Sequence, residues 1–208
     1  MFRTSAFTNK MTDIFSGNVR GMTEKLSAST VAVAGCGGIG SNVAVSLVRA
    51  GIGRIIIADM DIIEASNLNR QYYFTDEIGS KKVFTLKSRL NSINAECEVA
   101  AHHKELFRDD VSKLFSSADI LIEAFDKAES KQWLIEEWSS LYPDRPVISG
   151  NGLSGFGDFE SINIRKMGNI YFCGDGVTSS DIGLCSARVA IVSNMQANLA
   201  IELLMKLK

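Results

Sequence analysis

The sequence predicts a doubly wound α/β fold: a mainly parallel sheet, an antiparallel C-terminal extension and a long final helix. Three observations predict it. Short β-branched and apolar runs alternate with helical patterns from Thr30 to Ser149. A glycine cluster, Gly35-Cys36-Gly37-Gly38-Ile39-Gly40, ends the first run and opens the first helix of that series. The alternation stops at Gly150, where further glycines lead into two closely spaced strand-like runs.

Each element follows from its residues. Thr30–Ala34 is the first buried parallel strand, and Ser41–Ala50 a helix with Val43, Leu47 and Val48 on one side. Gly51-Ile52-Gly53 stops that helix, and Arg54–Ala58 is the second strand, ending at Asp59-Met60-Asp61. Residues 62–78 show no period and read as a loop or a pair of short turns. Gly79–Asn91 reads as a helix, Glu98–Ala101 as a weak strand and Val111–Phe115 as a short helix. Asp119–Glu123, Lys127–Ser139 and Pro146–Ser149 supply strand, helix and strand. Phe159–Arg165 and Asn169–Cys173 read as the antiparallel extension, and Asp181–Lys208 as the final helix. The expected organisation is a helical or looped lead-in over 1–28 and one domain over 29–208, with no internal repeat.

Composition narrows the function. The chain has 208 residues, 46% hydrophobic, enough for a sizeable core. Its formal net charge of −2 speaks against a broad basic surface, so no nucleic-acid partner is expected. No run reaches bilayer length, so no membrane partner is expected. The first residues lack the apolar core of a signal peptide, and a cytoplasmic protein is expected. The four cysteines, Cys36, Cys97, Cys173 and Cys185, form no C-x-x-C pair.

The glycine cluster has the context of a nucleotide loop. Gly35 permits the tight turn, Gly37 and Gly38 the approach of a phosphate, and Gly40 close helix–sheet packing. Amides at Ile39, Gly40 and Ser41 can point at an anion with the helix dipole behind them. Asp59, 19 residues after Gly40, stands where a carboxylate accepts ribose hydroxyls. On this logic alone the ligand is NAD, FAD or ATP. No G-K-[ST] follows the loop, so an ATP enzyme must bring other cations. Asp61, Asn67, Asn69, Arg70 and Gln71 crowd the next segment, with Lys81 and Lys82 behind them. Arg70 and one of the two lysines fit a reaction that expels pyrophosphate. Asp126, just past the fourth strand, can hold Mg²⁺ against phosphates, and Glu123 reads as a structural acceptor closing that strand.

Taken together, G35-C-G-G-I-G-S-N42, D59-M-D-I-I-E-A-S-N-L-N-R-Q71 and I78-G-S-K-K82 resemble the ThiF/MoeB family, the bacterial relatives of ubiquitin-activating enzymes. E123-A-F-D-K-A-E-S-K131, Ala187-Arg188-Val189 and Gln196-Ala197-Asn198 resemble its shorter ThiF type. The resemblance implies an ATP- and Mg²⁺-dependent homodimer. It would adenylate the C-terminal glycine of a small ubiquitin-like sulfur-carrier protein ending in Gly-Gly, as in thiamine thiazole synthesis. It assigns Asp59 to the ribose, Asn67 and Asn69 to framing the nucleotide, and Arg70 and Lys82 to the phosphates. Gln71 supports that shell, and Asp126 is the acidic residue near metal and reacting phosphate. Arg20 is the candidate for donation to a partner's site. A dehydratase of tRNA threonylcarbamoyladenosine is the alternative within the superfamily, and an NAD-dependent oxidoreductase the alternative outside it.

The departures are informative. Longer members bind zinc through two C-x-x-C pairs; this chain has neither pair, and no zinc is expected. Cys173 and Cys185 match no sulfur-transfer cysteine and read as inert. Lys127 stands where the family commonly has asparagine. His102 and His103 lack companion ligands, and Trp133 and Trp138 read as packing residues. The glycines from Gly150 to Gly157 read as the seat of an extended Gly-Gly tail.

Overall fold

The computed structural model describes residues 14–207; the first 13 residues of the expected lead-in lie outside it. The order is α1 (Met22–Ser27), β1 (Thr30–Ala34), α2 (Gly38–Ala50), β2 (Arg54–Asp59), α3 (Lys82–Ile93) and β3 (Glu98–His103). Then come α4 (Arg108–Phe115), β4 (Ile120–Glu123), α5 (Ala128–Leu141), β5 (Val147–Gly150), β6 (Asn163–Met167), β7 (Ile170–Gly174) and α6 (Ser186–Lys206). The seven strands form one sheet in the order β3-β2-β1-β4-β5-β7-β6. All pairings are parallel except the β6–β7 hairpin. The predicted mixed, mostly parallel architecture with a long C-terminal helix is the observed one.

Strand alternation splits the core into two layers. Val31, Val33, Ile55 and Ile57 face one side, with buried residues of α2, α3 and α6. Ala32, Ala34, Ile56 and Ala58 face the other, with Phe115, Leu134 and Trp138 of α4 and α5. Burial on both faces is why these strands read as continuous apolar runs. Trp138 is fully buried and donates its indole N–H to the Arg145 carbonyl at 3.2 Å, as a packing residue should.

Some boundaries differ from expectation for local reasons. The expected helix over Asp181–Lys208 begins only at Ser186, because Gly183 takes a φ of +89° after a short 3₁₀ turn at Ser180–Ile182. The strand expected over Phe159–Arg165 opens as another 3₁₀ turn, Phe159–Ser161, and its pairing runs on to Met167. Helix α3 starts three residues later than expected, because Lys81 bridges to Ile62. The aperiodic segment 62–78 holds two 3₁₀ turns, Ala65–Asn67 and Thr75–Glu77.

Candidate active site

Chain order reverses between β1 and β4, and the crevice at the carboxyl ends of these strands is where a doubly wound sheet takes its ligand. A cavity of about 930 Å³ opens there. It is lined by Gly35, Gly37, Gly38, Asp59, Asp61, Arg70, Gln71, Lys82 and Asp126 among others. Residues scattered over some ninety positions of sequence therefore share one wall system. Gly40, Asn67 and Asn69 do not line it, and Arg20 sits exposed in the turn before α1.

Three loops build the end of the cavity next to the glycine cluster. Gly35 has a φ of +100°, and a Cβ there would lie 2.6 Å from the Ala124 carbonyl oxygen. At Gly40 a Cβ would lie 1.8 Å from the Gly35 carbonyl, so this glycine serves helix–strand contact. A Cβ on Gly37 would meet only Gln71 Nε2, at 3.6 Å, so that side of the loop stays approachable. Helix α2 begins at Gly38, and the Ser41 amide already donates to the Gly37 carbonyl at 3.0 Å. Ser41 is thus not one of the anion-facing amides; those are the earlier ones of the first turn.

Asp59 ties this loop to β2. Its carboxylate accepts the Cys36 amide at 2.6 Å and the Asp61 amide at 2.7 Å. Asn42, a residue to which the sequence reading gave no role, donates to the carbonyls of Gly38 (2.7 Å) and Arg70 (3.0 Å). That bond pair locks the polar segment onto the glycine loop. Arg70 donates to the Ser66 carbonyl and to Asn69 Oδ1, and Asn69 in turn donates to the Leu184 carbonyl at 3.2 Å. Asn67 accepts the Glu64 amide within its own turn. Both asparagines thus hold the loop that carries Arg70.

Lys82 is the lysine that faces in. It is 5% exposed and pairs with Asp61 at 2.8 Å, while Lys81 lies exposed against the Phe84 ring. Gln71 lines the cavity, and its buried Oε1 has no hydrogen-bond partner among the described residues. The Asp126 carboxylate is exposed to the cavity and makes no hydrogen bond or ion pair among the described residues. Beneath it, Glu123 is fully buried and accepts bonds from Phe125, Lys131 and Ser149. The reading of Glu123 as a structural acceptor matches this geometry; the role of Lys131 had no signal beyond its place in a motif.

The second glycine cluster contributes Gly150, Asn151, Gly152, Leu153 and Ser154 to the cavity. A buried ion pair holds it. Arg188 donates to Asp175 Oδ2 at 2.5 Å and to the Gly157 carbonyl, and both residues are 3% exposed. Asp175 also accepts the amides of Val177 and Thr178. Burial pushes its carboxyl up, but these bonds, the Thr178 hydroxyl and Arg188 outweigh it and hold the group below the ordinary carboxylate range. Cys173 is fully buried, which raises its thiol to about 12; Cys185 is half-exposed, and neither lines the cavity. Among the described residues no cluster of three or more His, Cys, Asp or Glu is placed to hold a metal. Nor is any helix there long and apolar enough to cross a membrane.

The fold and the cavity define a doubly wound α/β protein with a glycine loop, Arg70 and Lys82 at the carboxyl edge of its sheet. Residues 10–208 match the ThiF family, and the chain belongs to it. It is 32% identical over 190 residues to the adenylyltransferase and sulfurtransferase MOCS3 of Aedes aegypti, covering 87% of this chain and 43% of that protein. It is 38% identical over 148 residues to the tRNA threonylcarbamoyladenosine dehydratase of Bacillus subtilis, covering 69% of this chain and 58% of that one. The chain thus spans about two-fifths of the MOCS3 relative it matches. The E. coli tRNA N6-threonylcarbamoyladenosine dehydratase TcdA superposes with a TM-score of 0.86 at 21% identity, over 95% of this chain and 96% of that one. The same enzyme in complex with ATP superposes at 0.83. These matches overturn the expectation that the chain stands nearest the short sulfur-carrier adenylyltransferases: it belongs to the ThiF family, and the solved structures it superposes on nearly end to end are those of the dehydratase TcdA.

Proposed function

We infer that the chain uses ATP to remove water from a threonylcarbamoyl-modified adenosine of tRNA. The observation that carries this reading is the 38% identity over 148 residues to the Bacillus subtilis dehydratase. The near end-to-end superposition on TcdA supports it. This reading replaces the expected carrier protein with a nucleic-acid substrate, which net charge alone had disfavoured.

The cavity suits ATP. Gly37 leaves room for a phosphate, Gln71 offers an unpaired acceptor, and Lys82, held by Asp61, brings a cation to the cavity wall. Asp59 would take the ribose hydroxyls with its remaining lone pairs. Mg²⁺, when bound, supplies charge neutralisation at the phosphates, and Asp126 with its free carboxylate would hold it through few protein ligands. The threonyl group carries a carboxylate, and dehydration requires one of its oxygens to leave. Attack of that carboxylate on the α-phosphorus bonds its oxygen to phosphorus and expels pyrophosphate. Arg70 and Lys82 stabilise the charge developing on the leaving group. The carbamoyl group of the same modification then attacks the acyl carbon; the acyl C–O bond breaks, AMP leaves with the oxygen, and the carbamoyl N–H gives up a proton to solvent, so the nucleoside has lost the elements of water. The protein supplies position and charge rather than an acid or base.

The test incubates the protein with ATP, Mg²⁺ and tRNA carrying threonylcarbamoyladenosine, then weighs the digested nucleosides. The expected result is a nucleoside lighter by one water, formed only with ATP. Pyrophosphate–ATP exchange that requires a Gly-Gly carrier protein, with tRNA unchanged, would reject the dehydratase reading in favour of adenylyl transfer to a protein.

A further inference from the structure

We propose that Glu123, clamped by Lys131 and Ser149, is a positioning residue that fixes the turn presenting Asp126 to the cavity. The inference rests on the ATP reading above only for the role of Asp126; the clamp itself stands on geometry. Glu123 is the last residue of β4 and is fully buried. One carboxylate oxygen accepts the Phe125 amide at 2.7 Å. The other accepts Lys131 Nζ at 2.9 Å and the Ser149 hydroxyl at 2.6 Å. The three partners come from the Asp126 turn, from the first turns of α5 and from β5. One buried carboxylate therefore ties together the three pieces of chain around this side of the cavity.

The clamp is not an incidental core contact. A buried carboxylate without its cation carries a large desolvation cost, so Lys131 and Glu123 are mutually dependent. The Asp126 turn has few other anchors. The Ala124 amide donates to the Ala34 carbonyl at 2.9 Å, while the side chains of Asp126 and Lys127 have no polar partners among the described residues. Phe125 rests against Trp133 with ring centroids 6.0 Å apart. The bond from Phe125 to Glu123 restrains the residue before Asp126, while the Lys127 carbonyl after it accepts the Lys131 amide at 3.0 Å. Outer partners of this kind commonly matter nearly as much as the ligand they orient.

The first measurement needs no ligand. Residue-resolved amide exchange is compared for wild type, Lys131→Met, Lys131→Arg and Ser149→Ala. The Phe125 amide should exchange about tenfold faster in Lys131→Met and measurably faster in Ser149→Ala, with the amides of central α5 unchanged. Lys131→Arg should stay near wild type. If Lys131→Met does not fold, Ser149→Ala carries the test, since it leaves no buried charge unpaired. Unchanged Phe125 exchange in the variants that fold overturns the proposal.

The second measurement follows Trp133 fluorescence as ATP is added with and without Mg²⁺, using Asp126→Asn for comparison. Lys131→Met should lose about tenfold of the affinity for the Mg²⁺ complex and keep its affinity for metal-free ATP, as Asp126→Asn should. Equal loss with and without Mg²⁺ means Lys131 touches the nucleotide itself, and overturns a positioning role. A wild type that binds no ATP in either form rejects the functional reading instead, and the exchange data still decide the clamp.

Discussion

Two glycine clusters line the same cavity for different physical reasons. In the first, residues 35–40, packing rules out a side chain at two glycines: a Cβ would lie 2.6 Å from the Ala124 carbonyl oxygen at Gly35 and 1.8 Å from the Gly35 carbonyl oxygen at Gly40. In the second, residues 150–157, packing does so only at the near end, where a Cβ at Gly152 would lie 2.0 Å from Asp175 Oδ1; at the far end Gly155 would make only an ordinary contact with Ile182 and Gly157 none, with φ of +75° and +68°. At that far end the backbone's handedness favours glycine, and the Gly157 carbonyl accepts from Arg188, more than thirty residues further along. The first cluster is locked by packing; the far end of the second is free of it and is tied to a distant buried ion pair.

Breaking that ion pair should have the largest effect. Arg188→Met leaves Asp175 buried without its cation and should cost about 3–5 kcal/mol in denaturant unfolding. Arg70→Ala strikes the other side. Its rate should fall about 100- to 1,000-fold, roughly 2.7–4 kcal/mol of transition-state stabilisation, while unfolding shifts far less. Gly40→Ala forces a backbone shift in the first cluster and should cost about 3 kcal/mol, with nucleotide affinity falling in parallel. Arg188→Met, by contrast, should spare nucleotide affinity more than substrate affinity, because its cluster is away from Asp59. Equal damage to both affinities from both variants would erase the distinction between the clusters.

Acid should separate them as well. Asp175 is held below the ordinary carboxylate range in the folded chain, so its contribution is complete above the unfolded-state value and is lost as pH falls through the folded one. Asp110, held low by Lys104, behaves in the same direction. Stability should therefore decline below about pH 4. Asp175→Asn should flatten that decline, leaving the slope due to Asp110.

The same contrast explains what the sequence made legible. The β1–glycine loop–α2–β2 unit reads directly, because strand run, glycines and Asp59 constrain one another within thirty residues. The cations were found because Arg70 and Lys82 sit in dense polar context beside that unit. Residue types alone do not decide Lys82 over Lys81; the family resemblance names Lys82, and the bridge between Ile62 and Lys81 accounts for which one turns inward. Asn67 and Asn69 were read as framing the nucleotide, whereas their visible bonds hold the loop carrying Arg70. Asp175 with Arg188, and Glu123 with Lys131, gave no pattern: their spacings follow from sheet topology and not from any helix or strand period. The start of α6 was misjudged because residues 181–185 continue its apolar pattern until the left-handed Gly183 interrupts it.

The smallest expected effect tests the handedness argument alone. Gly157→Ala meets no neighbour, so any cost comes from its positive φ and should be about 1–2 kcal/mol. Gly157→Asn should cost less, because asparagine visits the left-handed region more readily. The next residue shows that this turn tolerates a side chain: Asp158 already sits at φ +44°. Both substitutions keep the Gly157 carbonyl that accepts from Arg188, so the ion pair should survive them. If Ala and Asn cost the same, handedness is not what selects glycine there. If either costs as much as Arg188→Met, the second cluster is as tightly packed as the first, and the distinction between them fails.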